Sequence, residues 1–169
     1  MMKWKQQIHG MKAYQPGKPM EEVKAMYGLD EVVKLASNEN PFGNSPKVKQ
    51  FLQSDASNHA IYPDGYAQTL RTSVANFYGV EESELIFGNG SDDLIAIVTR
   101  ALLYPGVNTV MAELSFSQYW HNAEIEGAEV RKVPMKDGVH DLDAMLEAID
   151  ENTSVVWVCN PNNPTGTMV

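Results

Sequence analysis

The chain has 169 residues, a formal net charge of −9 and 43% apolar residues. This length and composition suit a globular protein with a sizeable core, and they exclude a mainly disordered or fibrous chain. An isoelectric point near 4.8 argues against a free-standing general nucleic-acid binder. The sequence holds no apolar run approaching the roughly 20 residues of a membrane span, and its first residues lack an apolar signal core. We therefore expect a cytoplasmic protein without membrane segments.

The first part of the chain is predicted to be an arm with one short helix. A cluster of proline and glycine precedes Met20–Tyr27, and Gly28 supplies a helix stop. Residues 34–66 are rich in turn-forming residues, which is typical of surface and binding segments. From Ala67, apolar residues recur at helical spacing until Gly79, so a regular helix is expected there.

A further helix is predicted over about 92–103. Ser91 is placed to cap its N-terminus, with Asp92 and Asp93 in the first turn. Because this segment is apolar nearly all round, we expect the helix to be buried.

Alternating strands and helices follow. Val107–Ala112 and Glu129–Met135 are predicted strands, separated by a helix over Ser117–Glu126. Asp141 is predicted to cap another helix, and Ser154–Cys159 is an apolar run expected of a strand buried on both faces, with Cys159 as a small buried hydrophobe. Strands separated by single helices predict an α/β fold with a mostly parallel sheet in a three-layer α/β/α arrangement.

The segment Gly88–Asp93 (Gly-Asn-Gly-Ser-Asp-Asp) is the first that suggests chemistry. A glycine turn that opens a helix presents free N–H groups and the positive end of the helix dipole, and both attract anions. The segment matches neither the dinucleotide-binding fingerprint nor a Walker A loop. Its two aspartates would partly oppose an anion, so an ordinary helix start remains the alternative.

The second such segment is the loop that follows the last predicted strand. In open α/β sheets, loops after the carboxyl ends of strands build the ligand site. Asn162 and Asn163 could orient a polar ring there, with prolines stiffening the loop, although a plain turn stays open. Phe116, Tyr119 or Trp120 could stack on a flat ligand or belong to the core. The four histidines lack metal-ligand spacing, so no metal site is predicted.

These segments together carry a resemblance. Asn160–Gly166 resembles the Asn-Pro-x-Asn-Pro-Thr-Gly signature of fold-type I pyridoxal-phosphate aminotransferases of classes I and II. Within that family, the sequence is more similar to the histidinol-phosphate aminotransferase group, because further segments match it in the same order from about Tyr14 to the last residue. Those segments are Leu35–Gly43, Tyr62–Gly65, Gly88–Leu94 and His121–Ala128.

The resemblance implies pyridoxal 5'-phosphate as the cofactor and assigns five residues to it. Gly90, Ser91 and Asp92 correspond to the cup whose backbone N–H groups hold the cofactor phosphate. Phe116 falls where the family places the aromatic ring that stacks on the pyridine. Asn163 falls where an amide bonds the phenolic oxygen of that ring.

Three further residues receive roles from the resemblance. Tyr62 matches a tyrosine that reaches the phosphate bound by the neighbouring subunit, which implies a homodimer. Tyr14 and Asn40 match substrate-contacting positions in the arm and the first loop, although a purely structural role stays open for both.

The implied reaction moves an amino group between L-histidinol phosphate and 2-oxoglutarate, giving glutamate, in histidine biosynthesis. An aromatic amino-acid aminotransferase, or another fold-type I enzyme such as a phospho-amino-acid decarboxylase, would share most of these segments. A stand-alone anion- or nucleotide-binding module is the non-enzymatic alternative.

The family's Schiff-base lysine lies downstream of the Asn-Pro-Thr-Gly loop, so no catalytic residue is predicted in this chain. We expect residues 1–43 to be the N-terminal arm and substrate loop. Residues 44–169 are expected to be the first part of the large cofactor-binding domain, without its remainder or the small domain. Such a fragment is expected to be inactive alone.

Overall fold

The computed structural model describes residues 3–12, 17–54 and 60–169. These residues divide into two compact units. One unit joins the described residues up to Met11 with Gly79–Val169, and the other lies within Lys12–Tyr78. Across the described ranges, no helix combines the length and the apolar character that a membrane crossing requires.

The unit within Lys12–Tyr78 contains helices α1 (Met20–Tyr27), α2 (Pro46–Ser54) and α3 (Gln68–Tyr78). The predicted end of α1 is confirmed, because Gly28 adopts a left-handed conformation with φ of 63°. Helix α2 was not predicted, since the turn-rich composition of its surroundings concealed a nine-residue helical stretch.

The other unit is built on a parallel sheet of three strands, β1 (Asn108–Ala112), β2 (Glu129–Val133) and β3 (Thr153–Trp157). The strand order is β2-β1-β3, and β1 pairs in parallel with both neighbours. All five residues of the central strand are buried. The predicted parallel α/β fold is thus confirmed.

Helices α4 (Ser91–Leu102), α5 (Gln118–Glu126) and α6 (Leu142–Glu147) belong to the same unit. Successive residues of a strand point to opposite faces of the sheet, and each face carries its own apolar cluster. The first cluster includes Ala123 of α5, and the second includes Met145 of α6. Helices therefore cover both faces, which gives the predicted three layers. The buried members of the clusters are Leu103, Val107, Ala123 and Ala128 on one face and Val110, Ala112, Val133 and Met145 on the other.

The prediction that the last strand is buried on both faces was wrong. Exposed and half-buried residues alternate along β3, and Val156 is 40% exposed. Val156 pairs with Val110, so it lies on the face that α6 covers. Met145 of α6 packs on β1 and β2 instead, which leaves this edge strand half uncovered.

The prediction that α4 is buried nearly all round was also wrong. Only Ile95 and Thr99 of this helix are fully buried, while Ile97 and Leu102 are exposed. Helix α4 packs against α5 along one side, and its remaining apolar residues meet solvent in this chain.

Candidate functional site

Two of the predicted site segments lie at one end of the parallel sheet. Phe116 follows β1 and Asn163 follows β3, so both lie at the carboxyl edge. Helix α4 precedes β1 after a short connection and packs against α5. A helix that leads into the amino end of a strand has its own C-terminus near that end. We therefore infer that the N-terminus of α4, with Gly90, faces the carboxyl edge.

The N-terminus of α4 is open to a ligand. Gly90 has φ of 81° and ψ of −178°, a conformation that is essentially closed to residues with a side chain. Apart from its chain neighbours, no described residue has an atom within 4 Å of the position that a Cβ would take there. Among the described residues, the backbone amides of Ser91, Asp92 and Asp93 meet no acceptor. Three free N–H groups and the helix dipole thus face an accessible space, as an anion site requires.

The predicted cap at Ser91 was wrong. Gly90 occupies the cap position, no side chain caps the helix, and Ser91 is its first helical residue. Asp93 instead accepts the amide of Asn89 through Oδ2 at 3.0 Å. This carboxylate holds the glycine turn, and a Cβ on Gly88 would come within 2.9 Å of its oxygen. Asp93 is therefore a structural element of the loop.

The two amides of the loop after β3 have different surroundings. Asn162 is 3% exposed, and its side chain bonds Ser115, His140, Leu114 and Thr165 at distances between 2.8 and 3.0 Å. Both lone pairs of Oδ1 and both N–H groups of Nδ2 are engaged, so this side chain has no capacity left for a ligand.

Asn163 is half-buried, and its side chain has no hydrogen-bond partner among the described residues. Its backbone amide donates to the Cys159 thiol at 3.4 Å, which orients the residue. Of the two amides at this edge, Asn163 is therefore the one that can bond a ligand, and Asn162 fixes the loop.

The rings of Phe116, Tyr119 and Trp157 form an aromatic column. Phe116 is half-buried and meets Tyr119 edge-on, with 5.7 Å between ring centroids. Tyr119 stacks on Trp157 of β3 at 4.6 Å and 12°. Tyr119 thus packs perpendicular to the ring of Phe116.

Cys159 is half-buried, so the prediction of a buried hydrophobe was wrong. It lies next to the Tyr119 hydroxyl and also contacts the Pro161 carbonyl. Burial, followed by the neighbouring Cys159 thiol, raises the pKa of Tyr119 to about 12. The phenol therefore stays protonated at neutral pH.

Tyr62 and Asn40 belong to the other unit, and Tyr14 lies outside the described residues. The Tyr62 side chain is 97% exposed. Asn40 closes its own turn, because Oδ1 accepts the Phe42 amide at 3.1 Å and Nδ2 donates to the Gly43 carbonyl at 2.7 Å. Within the described ranges, one N–H and one lone pair of Asn40 have no partner and can serve another molecule.

The turn that carries Tyr62 is held by Asp64. Its carboxylate accepts the backbone amides of Gln68 at 2.7 Å and Tyr66 at 3.0 Å, at the start of α3. These hydrogen bonds lower the pKa of Asp64 from its usual value.

The structure adds residues that the sequence did not indicate. Buried His140, half-buried Ser115 and exposed Thr165 join Asn162 in one polar cluster, and Trp157 supports Tyr119. Trp157 Nε1 is buried without a partner in the described part of the chain. No spacing rule relates these positions, because the sheet topology alone brings them together.

Residues 30–169 match the model of the family described as "Aminotransferase class I and II". The chain belongs to this family. The open helix start of α4, the aromatic column and the free amide of Asn163 are therefore features of a class I and II aminotransferase chain. The family match covers all of the carboxyl-edge residues described above.

Two bacterial relatives are highly similar to this member of the aminotransferase family. The histidinol-phosphate aminotransferase of Lysinibacillus sphaericus is 72% identical over 168 residues, and that of Halalkalibacterium halodurans is 67% identical over 168 residues. Each alignment covers 99% of this chain and 46% of the relative. The chain thus spans about half the length of the curated relatives it matches.

A solved structure shows the same fold. The histidinol-phosphate aminotransferase of Sinorhizobium meliloti, solved in complex with pyridoxal-5'-phosphate, superposes with a TM-score of 0.84 at 23% identity. The superposition covers 97% of this chain and 44% of that one.

Proposed function

We propose that the protein carrying this chain is a pyridoxal-phosphate-dependent aminotransferase that moves an amino group between L-histidinol phosphate and 2-oxoglutarate. The observation that carries this proposal is the 72% identity, over nearly the whole chain, to a histidinol-phosphate aminotransferase. The match extends through both units of the structure. Histidine biosynthesis is the corresponding pathway.

The residues at the carboxyl edge suit this cofactor. Its phosphate is a dianion, and the amides of Ser91, Asp92 and Asp93 offer donors at the positive end of α4. Gly90 leaves the approach to those amides open. Phe116 offers an aromatic ring that is supported by a perpendicular contact with Tyr119.

Asn163 would donate a hydrogen bond from its side-chain amide to the phenolic oxygen of the cofactor ring. The fixed ring of Phe116 would orient the pyridine plane, and the amides of α4 would hold the phosphate. When bound, pyridoxal phosphate supplies the electron sink that allows the amino group to be transferred. The contribution of this chain is therefore binding and orientation.

Substrate contacts and assembly remain part of the proposal. The exposed ring of Tyr62 is accessible to a second subunit. Asn40 has hydrogen-bonding capacity that a contact with substrate would need. Substrate contact by Tyr14, the homodimer, the cytoplasmic location and the division at residue 43 stay predictions.

The proposal is tested with protein expressed from its complete gene and loaded with pyridoxal phosphate. Amino transfer from L-histidinol phosphate to 2-oxoglutarate is followed as glutamate formed. L-Phenylalanine and L-tyrosine are assayed as competing donors, and carbon dioxide release is assayed with O-phospho-L-threonine. We expect kcat/KM for L-histidinol phosphate to exceed that for either aromatic donor at least about tenfold, a difference of about 1.4 kcal/mol.

Two results would contradict the proposal. A higher kcat/KM for an aromatic amino acid would indicate an aromatic aminotransferase. Carbon dioxide release without glutamate formation would indicate a decarboxylase acting on a phosphorylated amino acid.

A further inference from the structure

The polar cluster around Asn162 includes a buried histidine from a distant part of the chain. His140 precedes α6, is 5% exposed, and lies with Nε2 at 3.0 Å from Asn162 Oδ1. The other side of the same amide donates to the Leu114 carbonyl at 3.0 Å. Three segments of the chain therefore meet at one side chain, namely the loops after β1 and β3 and the segment before α6.

The hydrogen bonds define where the His140 ring carries a proton. Because a carbonyl oxygen accepts and cannot donate, the amide atom facing Leu114 must be Nδ2. The atom facing His140 is then Oδ1, so Nε2 of His140 must carry a hydrogen. Nδ1 of the same ring is buried and has no partner within the described ranges. The imidazole thus serves as a single directed donor to Asn162.

A second contact joins the loop after β3 to the segment before α6. Thr167 Oγ1 donates to the Gly138 carbonyl at 2.8 Å, two residues before His140. Met145 anchors the following helix on Val110 and Val133 in the core. The segment carrying His140 is therefore fixed to the sheet, and it can serve as a rigid support for the loop after β3.

Two residues of this cluster, Asn162 and Ser115, are sequence neighbours of the proposed cofactor contacts. Asn162 precedes Asn163, and Ser115, which donates to Asn162 Oδ1 at 2.9 Å, precedes Phe116. A shift of the Asn162 side chain would displace the amide and the aromatic ring together. Placement to within about 0.5 Å is what ring-binding groups require.

We propose that His140 is a positioning residue that acts through Asn162 to hold Asn163 and Phe116 in place for the cofactor ring. This inference rests on the proposed function. His140 itself touches neither cofactor nor substrate in this proposal. Its effect is on the affinity for pyridoxal phosphate and on the orientation of the bound ring.

The test compares His140→Leu with His140→Gln in the protein expressed from its complete gene. Leucine removes the hydrogen-bond donor. The amide of glutamine can place an N–H group close to the position that Nε2 of His140 occupies. The Kd for pyridoxal phosphate is measured by titrating the apoprotein. The visible circular dichroism per bound cofactor reports the asymmetry around the ring, and a purely structural role would not change it. His121→Leu, at a half-buried histidine of α5, is the matched control.

We expect His140→Leu to raise the Kd about 3- to 10-fold, the range that corresponds to one lost hydrogen bond. The visible dichroism per cofactor should fall, and His140→Gln should restore both values towards those of the unaltered protein. His121→Leu should match the unaltered protein. Equal values for His140→Leu and the unaltered protein, or equal losses in the leucine and glutamine variants, would overturn the proposal.

If His140→Leu does not fold, His140→Asn replaces it, because its amide is one methylene too short to reach Asn162. Equal Kd and dichroism for the asparagine and glutamine variants would then overturn the proposal. Failure of the unaltered protein to bind pyridoxal phosphate would refute the proposed function and this inference together. If the unaltered protein binds pyridoxal phosphate normally and the His140 variants have the same Kd and dichroism, only the positioning role would be refuted.

Discussion

The rings of Tyr119 and Trp157 lie nearly parallel, with 4.6 Å between their centroids and 12° between their planes. Tyr119 belongs to α5 and Trp157 ends β3, so the stack joins elements that are far apart in sequence. The same Tyr119 ring meets Phe116 edge-on. Offset and edge-on aromatic pairs each contribute about 0.5–1.5 kcal/mol beyond the area they bury. The candidate ring-binding residue is therefore supported by the sheet itself.

Tyr119→Phe should retain this column and change only its response to pH. The pKa of Tyr119 is raised to about 12 in the folded protein, whereas an unfolded tyrosine ionises near its usual value of 10. Between about pH 10 and 12 the unfolded state thus loses its proton first, and the free energy of unfolding falls as pH rises. The phenylalanine variant lacks this term. Urea unfolding at pH 9 and pH 11 should show a smaller loss of stability for Tyr119→Phe than for the unaltered protein.

Tyr104→Phe is the matched control for that comparison, because Tyr104 is an exposed tyrosine of the same unit. An equal fall in stability between pH 9 and pH 11 for the unaltered protein and Tyr119→Phe would contradict the assignment of the raised pKa to Tyr119.

Asn162→Ala and Asn163→Ala should separate folding from binding. Removing the Asn162 side chain breaks one buried hydrogen bond to His140 and three part-buried ones, which should cost about 2–4 kcal/mol. Removing the Asn163 side chain breaks none among the described residues, so stability should stay within about 0.5 kcal/mol. The affinity for pyridoxal phosphate should nevertheless fall. Urea unfolding and cofactor titration measure the two effects, and reversed behaviour of the variants would refute the assignment.

The sequence predicted elements well wherever local chemistry determines them. Gly28 and Gly127 end their helices in left-handed conformations, and Asp141 caps α6 through the Ala144 amide. The parallel sheet followed from the alternation of strands and helices. These features depend on a few consecutive residues or on one periodic pattern, so they can be recognised without tertiary structure.

The predictions that were wrong concerned residues whose surroundings depend on tertiary structure. The apolar run of β3 predicted burial on both faces, but Val156 is 40% exposed because α6 packs over the other strands. Side-chain chemistry alone did not distinguish Asn162 from Asn163, and only the resemblance assigned the ring contact to Asn163. The hydrogen bonds of Asn162 with Leu114 and His140 supply the physical difference. The glycine turn predicted an open helix start at Gly90, whereas the observed backbone angles were needed to show that Gly90, and not Ser91, takes the cap position.

Gly90→Ala should weaken cofactor binding through the backbone. A side chain at φ of 81° and ψ of −178° is strained by about 1–3 kcal/mol, and relief of that strain would turn the free amides of α4 away from the phosphate. We expect the Kd for pyridoxal phosphate to rise at least about tenfold. Gly106→Ala is the control, because Gly106 has φ of 108°, equally open surroundings and a place at the opposite end of β1. Similar cofactor affinities for the two variants would contradict the phosphate site at α4.

Asp150→Asn should remove part of the acid sensitivity of the sheet. Asp150 accepts the Asn108 side-chain amide at 2.8 Å and pairs with Arg131 at 2.8 Å, and these contacts lower its pKa to about 2. Since the unfolded carboxyl ionises near 3.8, the folded state gains stability above that pH and loses it as pH falls from about 4 to about 2. The asparagine variant should unfold more easily at pH 7 and lose less stability on acidification. Urea midpoints at pH 7 and pH 3 test this against Asp137→Asn, a change at an exposed turn residue. Equal acid-induced losses in the unaltered protein and Asp150→Asn would show that this carboxylate does not contribute.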